Sequence, residues 1–254
     1  DVEARGALIR PDTILISVMA VNNEIGSIQP IQAISELLAD KPTISFHVDA
    51  VQALAKIPTE KYLTERVDFA TFSSHKFHGV RGVGFVYIKS GKRITPLLTG
   101  GGQERDYRST TENVAGIAAT AKALRLSMEK LDFFTSKIGQ MKAVIRQALL
   151  DYPDIFVFSD EEDFAPHILT FGIKGVRGEV IVHALEDYDI FISTTSACSS
   201  KAGKPAGTLI AMGVDKDKAQ SAVRLSLDLE NDMSQVEQFL TKLKLIYNQT
   251  RKVR

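Results

Sequence analysis

The sequence VDFATFSSHKFHGVRGVGFVYIK, Val67–Lys89, places a polar run between two largely apolar segments. The segments Val67–Phe72 and Val83–Ile88 have the length and the aromatic and β-branched composition of buried strands. The polar run Ser73–Lys76 directly follows the first of them. In open α/β sheets, ligands bind at the carboxyl ends of the strands. The stretch therefore predicts a strand, a ligand-binding loop and a second strand.

The same alternation extends on both sides of this stretch. Upstream, strands are predicted at Thr13–Val21 and Ile44–Val48, and Pro30 is well placed to begin a helix between them. Downstream, long helices are predicted near residues 113–129 and 137–150. Further strands are expected at Phe156–Phe158, Ile168–Phe171, Ile190–Ile192 and Val223–Leu227, with helices at 179–187 and 234–247.

This order of elements predicts an α/β fold with two domains. Strands and helices joined by short loops are typical of a mostly parallel sheet that is covered by helices. We expect residues 1–130 to form a larger domain around that sheet, and residues 131–254 to form a smaller α/β domain that carries the only cysteine.

The composition argues against several classes of function. Thirty-one basic residues balance 31 acidic ones, so no overall field attracts nucleic acid or anionic lipid. No apolar run approaches the roughly 18 residues that span a bilayer. The single cysteine, Cys198, excludes an internal disulfide framework and a cysteine-cluster metal site. We expect a cytoplasmic protein in a reducing compartment, without a metal, a membrane or direct contact with nucleic acid.

The polar residues that end strands are the candidates for chemistry. Asn23 and Asp49 each follow an apolar strand, as Ser73–Lys76 does, and would converge if those strands were neighbours. A lysine amine such as that of Lys76 can form a Schiff base with an aldehyde cofactor. Asp49 suits the partner of a pyridinium nitrogen. Both features fit pyridoxal phosphate (PLP), although each residue alone could simply cap a loop.

Six blocks of sequence carry a resemblance to a known family. They are VNNEIG (Val21–Gly26), HVDAVQ (His47–Gln52), FSSHKFHG (Phe72–Gly79), GGGQERDYRSTTEN (Gly100–Asn113), TSACSS (Thr195–Ser200) and AVRLSL (Ala222–Leu227). Their order and spacing resemble those of NifS/IscS-like cysteine desulfurases, PLP-dependent class V aminotransferases with the aspartate aminotransferase fold (type I). Since such relatives carry a further segment ahead of this start, the resemblance implies an N-terminally truncated member with an incomplete large-domain sheet.

The resemblance implies a role for each candidate cofactor residue. Lys76 would be the Schiff-base lysine, and Asp49 would pair with the ring nitrogen. Gln52 and Asn23 would contact the hydroxyl side of the ring. The phosphate would be bound by Ser73 and His75. Thr111 resembles the threonine that reaches the phosphate of the neighbouring subunit's cofactor, which implies a homodimer.

The resemblance also implies the substrate and the reaction. Arg224, with Asn23, would hold the carboxylate of L-cysteine, and Cys198 would be the catalytic cysteine that receives the sulfur as a persulfide while L-alanine is released. A purely structural interpretation is that Cys198 is a small buried side chain, but its neighbours in the sequence are polar. The sulfur acceptors of the family include iron–sulfur scaffold proteins and tRNA-thiolation proteins.

Alternatives remain open at this point. A selenocysteine lyase of the same fold is poorly separated from a desulfurase by sequence. A catalytically inactive fragment that acts as an interaction domain would keep the fold without the cofactor. A Cys–His hydrolase would need a histidine beside Cys198, and the sequence suggests none there.

Overall fold

The computed structural model describes residues 2–159, 162–195 and 207–252. Two compact units are present: the chain up to Ala20 together with Gln29–Leu131 forms the first unit, and Val21–Ile28 together with the chain from Asp132 forms the second. The sequence suggested one boundary near residue 130. A single boundary does not separate the two units, because Val21–Ile28, far ahead of residue 130, belongs to the second unit.

The first unit is built around a four-stranded sheet. Its elements are α1 (Val2–Ala7), β1 (Leu15–Met19), α2 (Ile31–Leu37), β2 (Ser45–Asp49), β3 (Phe69–Ser73), β4 (Gly84–Ile88) and α3 (Val114–Met128). The strand order is β1-β2-β3-β4, in which β1, β2 and β3 are parallel and β4 is antiparallel to β3. The expected α/β fold with a mostly parallel sheet is confirmed.

Alternation along β2 decides which side chains reach which face of this sheet. Phe46 and Val48 are fully buried, whereas Ser45, His47 and Asp49 lie half-buried on the opposite face. Because successive side chains of a strand point to opposite faces, burying the two apolar residues turns all the polar ones the other way. The second face of the sheet is therefore the polar one at β2.

The second unit contains an antiparallel sheet. Its elements are α4 (Leu131–Leu150), β5 (Ile155–Val157), β6 (Ile168–Ile173), α5 (Gly178–Glu186), β7 (Ser193–Thr194), α6 (Gly207–Ala211), α7 (Lys216–Gln220), β8 (Ala222–Ser226) and α8 (Met233–Lys252). The strand order is β5-β6-β8-β7. Every residue of β6 is buried, and α4, α5 and α8 contribute apolar side chains to the same core. Among the described residues, no helix is long and apolar enough to cross a bilayer.

The strand expected at Ile190–Ile192 is wrong. In this part of the chain, among the described residues, pairing with β8 is confined to Ser193–Thr194. Asp189 adopts a left-handed conformation with φ 58°, and the Ile190 N–H donates to the carbonyl of Leu185 at 3.1 Å, which closes the end of α5. Ile190 and Ile192 pack on the core as partly buried side chains, so the apolar pattern reports burial rather than strand pairing.

A buried carboxylate joins the strands of the first unit. Asp68 accepts hydrogen bonds from the Phe46 N–H at 2.9 Å and from Arg66 at 2.8 Å, and Lys92 lies 3.3 Å away. Burial raises the pKa of the Asp68 carboxyl, but these hydrogen bonds and the Arg66 charge outweigh it and hold the pKa below its ordinary value. The carboxylate therefore stabilises the fold at neutral pH.

We predict that Asp68→Asn lowers the free energy of unfolding at pH 7 by about 3 kcal/mol, because it leaves the Arg66 charge without its buried partner. The wild type should lose this contribution as the pH falls from the ordinary aspartate pKa of about 3.9 toward the lower folded value. Urea unfolding between pH 7 and pH 3 measures both effects. Asp12→Asn, which removes an exposed partner of Arg10, is the control. An equal loss in both variants would contradict the prediction.

Candidate active site

The parallel strands of the first unit end at one edge, here called the carboxyl edge and formed by Met19, Asp49 and Ser73. Met19 pairs with Asp49 in the ladder, and Asp49 pairs with Thr71, so Ser73 lies two residues further along β3. The Asp49 carboxylate accepts a hydrogen bond from the Val51 N–H at 3.0 Å. This bond caps the turn that follows β2, which carries the half-buried Gln52.

The turn that carries Lys76 is anchored to α3 by a buried serine. Ser74–Phe77 forms a 3₁₀ turn directly after β3, and Ser74 is fully buried. The Ser74 hydroxyl lies 2.9 Å from that of Thr120 on α3, and Thr120 donates to the carbonyl of Gly116 at 2.7 Å. With Ser74 and Phe77 buried, His75 is exposed and Lys76 is half-buried. No local sequence pattern indicates Ser74 and Thr120, since their contact joins residues 46 apart in the chain.

Gly79 closes this turn at very short range. Its N–H donates to the Ser74 carbonyl at 2.9 Å, and a Cβ at position 79 would lie 1.9 Å from the Ser74 hydroxyl oxygen. No side chain fits at that distance. The glycine that follows FSSHKFH is thus required by packing against the buried anchor of the Lys76 turn.

Thr111 belongs to a different group of residues in the first unit. It is exposed and lies two residues before Asn113, whose side chain caps the start of α3 by accepting from the Gly116 N–H at 3.0 Å. Thr111 lines an open cleft of about 1170 Å³ between β4 and residues 104–113. This cleft contains the basic side chains of Lys89, Lys92, Arg105 and Arg108 among its lining residues.

In the second unit, the structure brings Arg224 and Asn23 together. Arg224 is half-buried on β8, on the face opposite the buried Val223 and Leu225. Its Nη1 donates to the carbonyl oxygen of Asn23 at 2.9 Å, and its Nε donates to the Ser226 hydroxyl at 3.2 Å. A guanidinium held in this way has a defined orientation for a carboxylate ligand.

The loop that carries Asn23 is held by two residues that were not predicted as site residues from the sequence, Asn22 and Glu24. The Asn22 side-chain oxygen accepts from the backbone N–H groups of Glu24 and Ile25 at 2.8 and 3.0 Å. The Glu24 carboxylate accepts from the Thr208 N–H at the start of α6, at 3.0 Å. An asparagine that bonds to the backbone two residues on is a known turn signal. The Glu24 contact had no such local signal, since its partner lies 184 residues away.

Gly26 allows this loop to pass close to β6. Its φ is +83°, in the region that favours glycine, and a Cβ there would lie 2.8 Å from the Cβ of Ile168. Both the backbone conformation and the contact therefore require glycine in VNNEIG.

Cys198 lies outside the described residues. The chain is described up to Thr195, which is buried, and again from Gly207, where α6 begins. Among the described residues, no group of three His, Cys, Asp or Glu side chains could hold a metal ion.

The side chains at and after the carboxyl edge fit PLP by their chemistry. A carboxylate at Asp49 suits a protonated ring nitrogen, and an amide at Gln52 suits the ring hydroxyl. Hydroxyl and imidazole groups at Ser73 and His75 can donate to a phosphate, and the amine of Lys76 can react with an aldehyde. All five belong to the first unit.

Comparisons with known proteins agree with these features. Residues 1–239 match the family model described as Aminotransferase class-V. A NifS/IcsS protein homolog of Lactobacillus delbrueckii subsp. bulgaricus is 50% identical over 248 residues, which is 97% of this chain and 64% of that protein. Cysteine desulfurase IscS of Clostridium botulinum is 38% identical over 248 residues, covering 96% of this chain and 62% of that protein.

Solved structures give the same result. A NifS-like protein superposes with a TM-score of 0.88 at 36% identity, covering 98% of this chain and 65% of the other. A NifS-like protein from Rickettsia africae has a TM-score of 0.86 at 28% identity, covering 98% and 66%. The chain thus spans slightly less than two thirds of the length of these relatives.

We predict that Gly79→Ala displaces the Lys76 turn, because the new methyl group would overlap the Ser74 hydroxyl. The expected loss is about 2 kcal/mol in the free energy of unfolding, which urea denaturation measures. Gly139→Ala is the matched control, since Gly139 lies within α4 and its Cβ would meet open space. That control should be neutral or stabilising by up to about 1 kcal/mol. Equal stability of Gly79→Ala and the wild type would contradict the prediction.

Proposed function

Because this chain belongs to the aminotransferase class-V family, we propose that it carries the working residues of a PLP-dependent cysteine desulfurase. The observation that carries the proposal is the anchored turn of Lys76, which follows β3 directly at the carboxyl edge that also holds Asp49. PLP needs an amine that reacts with its aldehyde and a carboxylate that pairs with its ring nitrogen. Here these two groups follow neighbouring strands.

Residues of the first unit bind and orient the cofactor in this proposal. PLP, when bound, supplies an aldehyde that captures a primary amine and a pyridine ring that accepts negative charge. Asp49 holds a proton on the ring nitrogen, and Ser73 and His75 donate to the phosphate. Gln52 donates to the ring hydroxyl. The amine of Lys76 would hold the aldehyde of PLP and would take the proton from the substrate α-carbon.

The substrate in this proposal is L-cysteine, bound by its carboxylate to Arg224 and Asn23. The contact between Arg224 and the Asn23 carbonyl supports this role, because it fixes the guanidinium at the exposed side of β8. A bidentate arginine–carboxylate pair gives both affinity and orientation.

Cys198 receives the sulfur. Its thiolate attacks the substrate sulfur, so that a sulfur–sulfur bond forms while the carbon–sulfur bond breaks. The bonding electrons stay with the carbon fragment, which takes up two protons, the one that Lys76 removed and the one that the Cys198 thiol released. The fragment leaves as L-alanine, and the persulfide remains on the protein. Sulfur then passes to an acceptor, for which iron–sulfur scaffold and tRNA-thiolation proteins are the candidates. A reducing cytoplasm, where a free thiol persists, suits this chemistry.

A homodimer is part of the same proposal. Thr111 is exposed at the cleft beside β4, where it is accessible to a neighbouring subunit. We assign it the role of donating a hydrogen bond to the phosphate of the cofactor that the other subunit binds.

We predict that the wild-type chain, after addition of PLP and removal of the excess, retains a visible absorption band that Lys76→Ala lacks. Lys61→Ala is the matched control, because Lys61 also lies in a 3₁₀ turn but is exposed, whereas Lys76 is half-buried. Cys198→Ser should keep the band and lose cysteine-dependent release of alanine. A wild type without the band would contradict the proposal and favour a catalytically inactive interaction domain.

We predict that Arg224→Lys raises the KM for L-cysteine about tenfold or more, because a lysine cannot make the bidentate pair, and tenfold corresponds to about 1.4 kcal/mol. Steady-state release of alanine measures KM and kcat. Arg177→Lys, an exposed arginine before α5, is the control and should leave both constants unchanged. An unchanged KM in Arg224→Lys would contradict the assignment.

A further inference from the structure

Three side chains form a hydrogen-bonded row across the first sheet, beside Asp49. The Ser17 hydroxyl on β1 lies 2.7 Å from Nδ1 of His47 on β2. On the other side, Nε2 of His47 lies 3.1 Å from the Thr71 hydroxyl on β3. Both ring nitrogens are thus occupied by hydroxyl groups of the two neighbouring strands.

The row lies next to the carboxylate of the carboxyl edge. His47 and Asp49 are two residues apart on β2, so they share one face of the sheet at a spacing of about 6–7 Å between their backbones. Thr71, which holds one side of the imidazole, is also the ladder partner of Asp49. His47 therefore borders Asp49 both along its own strand and through the adjacent strand.

The surroundings favour a neutral imidazole. Burial lowers the pKa of His47 below the ordinary histidine value, and the negative charge of Asp49 only partly opposes this effect. The residues of β1 and β3 that share this face are hydroxyl-bearing or apolar: Leu15, Ser17, Met19, Phe69, Thr71 and Ser73. Asp49 is thus the one charged group that these three strands present to the imidazole. A neutral imidazole has one donor and one acceptor, which two hydroxyl groups can match in either tautomer.

We propose that His47 is a positioning residue for Asp49: clamped by Ser17 and Thr71 as a neutral imidazole, it borders the carboxylate without offsetting its charge. The full charge of Asp49 is then available to a protonated ring nitrogen. This inference rests on the proposed function, because it assigns His47 a role toward the cofactor that Asp49 would bind. A cation at position 47 would compete with the ring for the same carboxylate.

A purely structural role for His47 predicts different experimental results. If the row served only to join three strands, any change at position 47 would lower the stability of the fold, and the protonation of a bound ring nitrogen would not depend on the charge at that position. The proposal instead ties that protonation to the charge at position 47. His47 is half-buried, so neutral and charged substitutes both have access to solvent.

The first experiment needs no cofactor. The imidazole of His47 is followed by nitrogen NMR in chain labelled with 15N-histidine, and its signal is assigned by its absence in His47→Gln. We expect it to titrate below the ordinary histidine value, and to titrate lower still in Asp49→Asn, since the favourable charge is removed. A His47 titration that is ordinary, or that ignores Asp49→Asn, would overturn the inference.

The second experiment uses PLP labelled with 15N in the ring. We expect a protonated ring nitrogen in the wild type and in His47→Gln, and loss of that proton in His47→Lys, with PLP affinity reduced at least tenfold. Urea unfolding of each variant separates this effect from loss of the fold. A protonated ring in folded His47→Lys would overturn the inference. A wild type that retains no PLP, but shows the coupled titration of the unloaded chain, would overturn the proposed function and support the charge coupling between Asp49 and His47.

Discussion

The alternation of β2 is the constraint on which the candidate site depends. Phe46 and Val48 fill the core beneath the sheet, and a strand cannot bury both without turning its other side chains to the opposite face. His47 and Asp49 therefore share that face, and the parallel register of β1, β2 and β3 brings the strand ends together. A shift of register by one residue would bury the carboxylate and expose the core.

The turn after β3 shows how a polar residue can be kept inside a fold to position another. Burying a hydroxyl is unfavourable unless it is hydrogen-bonded, and Ser74 meets that condition through Thr120. Since Thr120 also bonds to its own helix, the turn is tied to α3 rather than to solvent. Lys76 thereby has a defined backbone although its side chain is only half-buried.

Most of the fold could be predicted from sequence, because the strands of both units are short apolar runs that end at polar residues. The same signal failed at Ile190–Ile192, where the apolar residues follow a helix end and are buried without pairing. The set at the carboxyl edge was predictable from its position after strands. Contacts such as Glu24 with Thr208 could not be predicted, since they join residues far apart in the chain and leave no local pattern. Cys198 lies outside the described residues.

The eight residues Val21–Ile28 have a consequence for the order in which the protein is made. Ile25 and Glu24 accept hydrogen bonds from Ser159 and Thr170, and the carbonyl of Asn23 accepts from Arg224, across separations of 134, 146 and 201 residues. A ribosome that adds about 5–20 residues per second releases these partners about 7–40 seconds after the loop itself. During translation the VNNEIG loop is therefore made before its hydrogen-bond partners, and its carbonyl groups bind water until those partners are available. The arginine that we assign to the substrate is the last of the three partners to arrive.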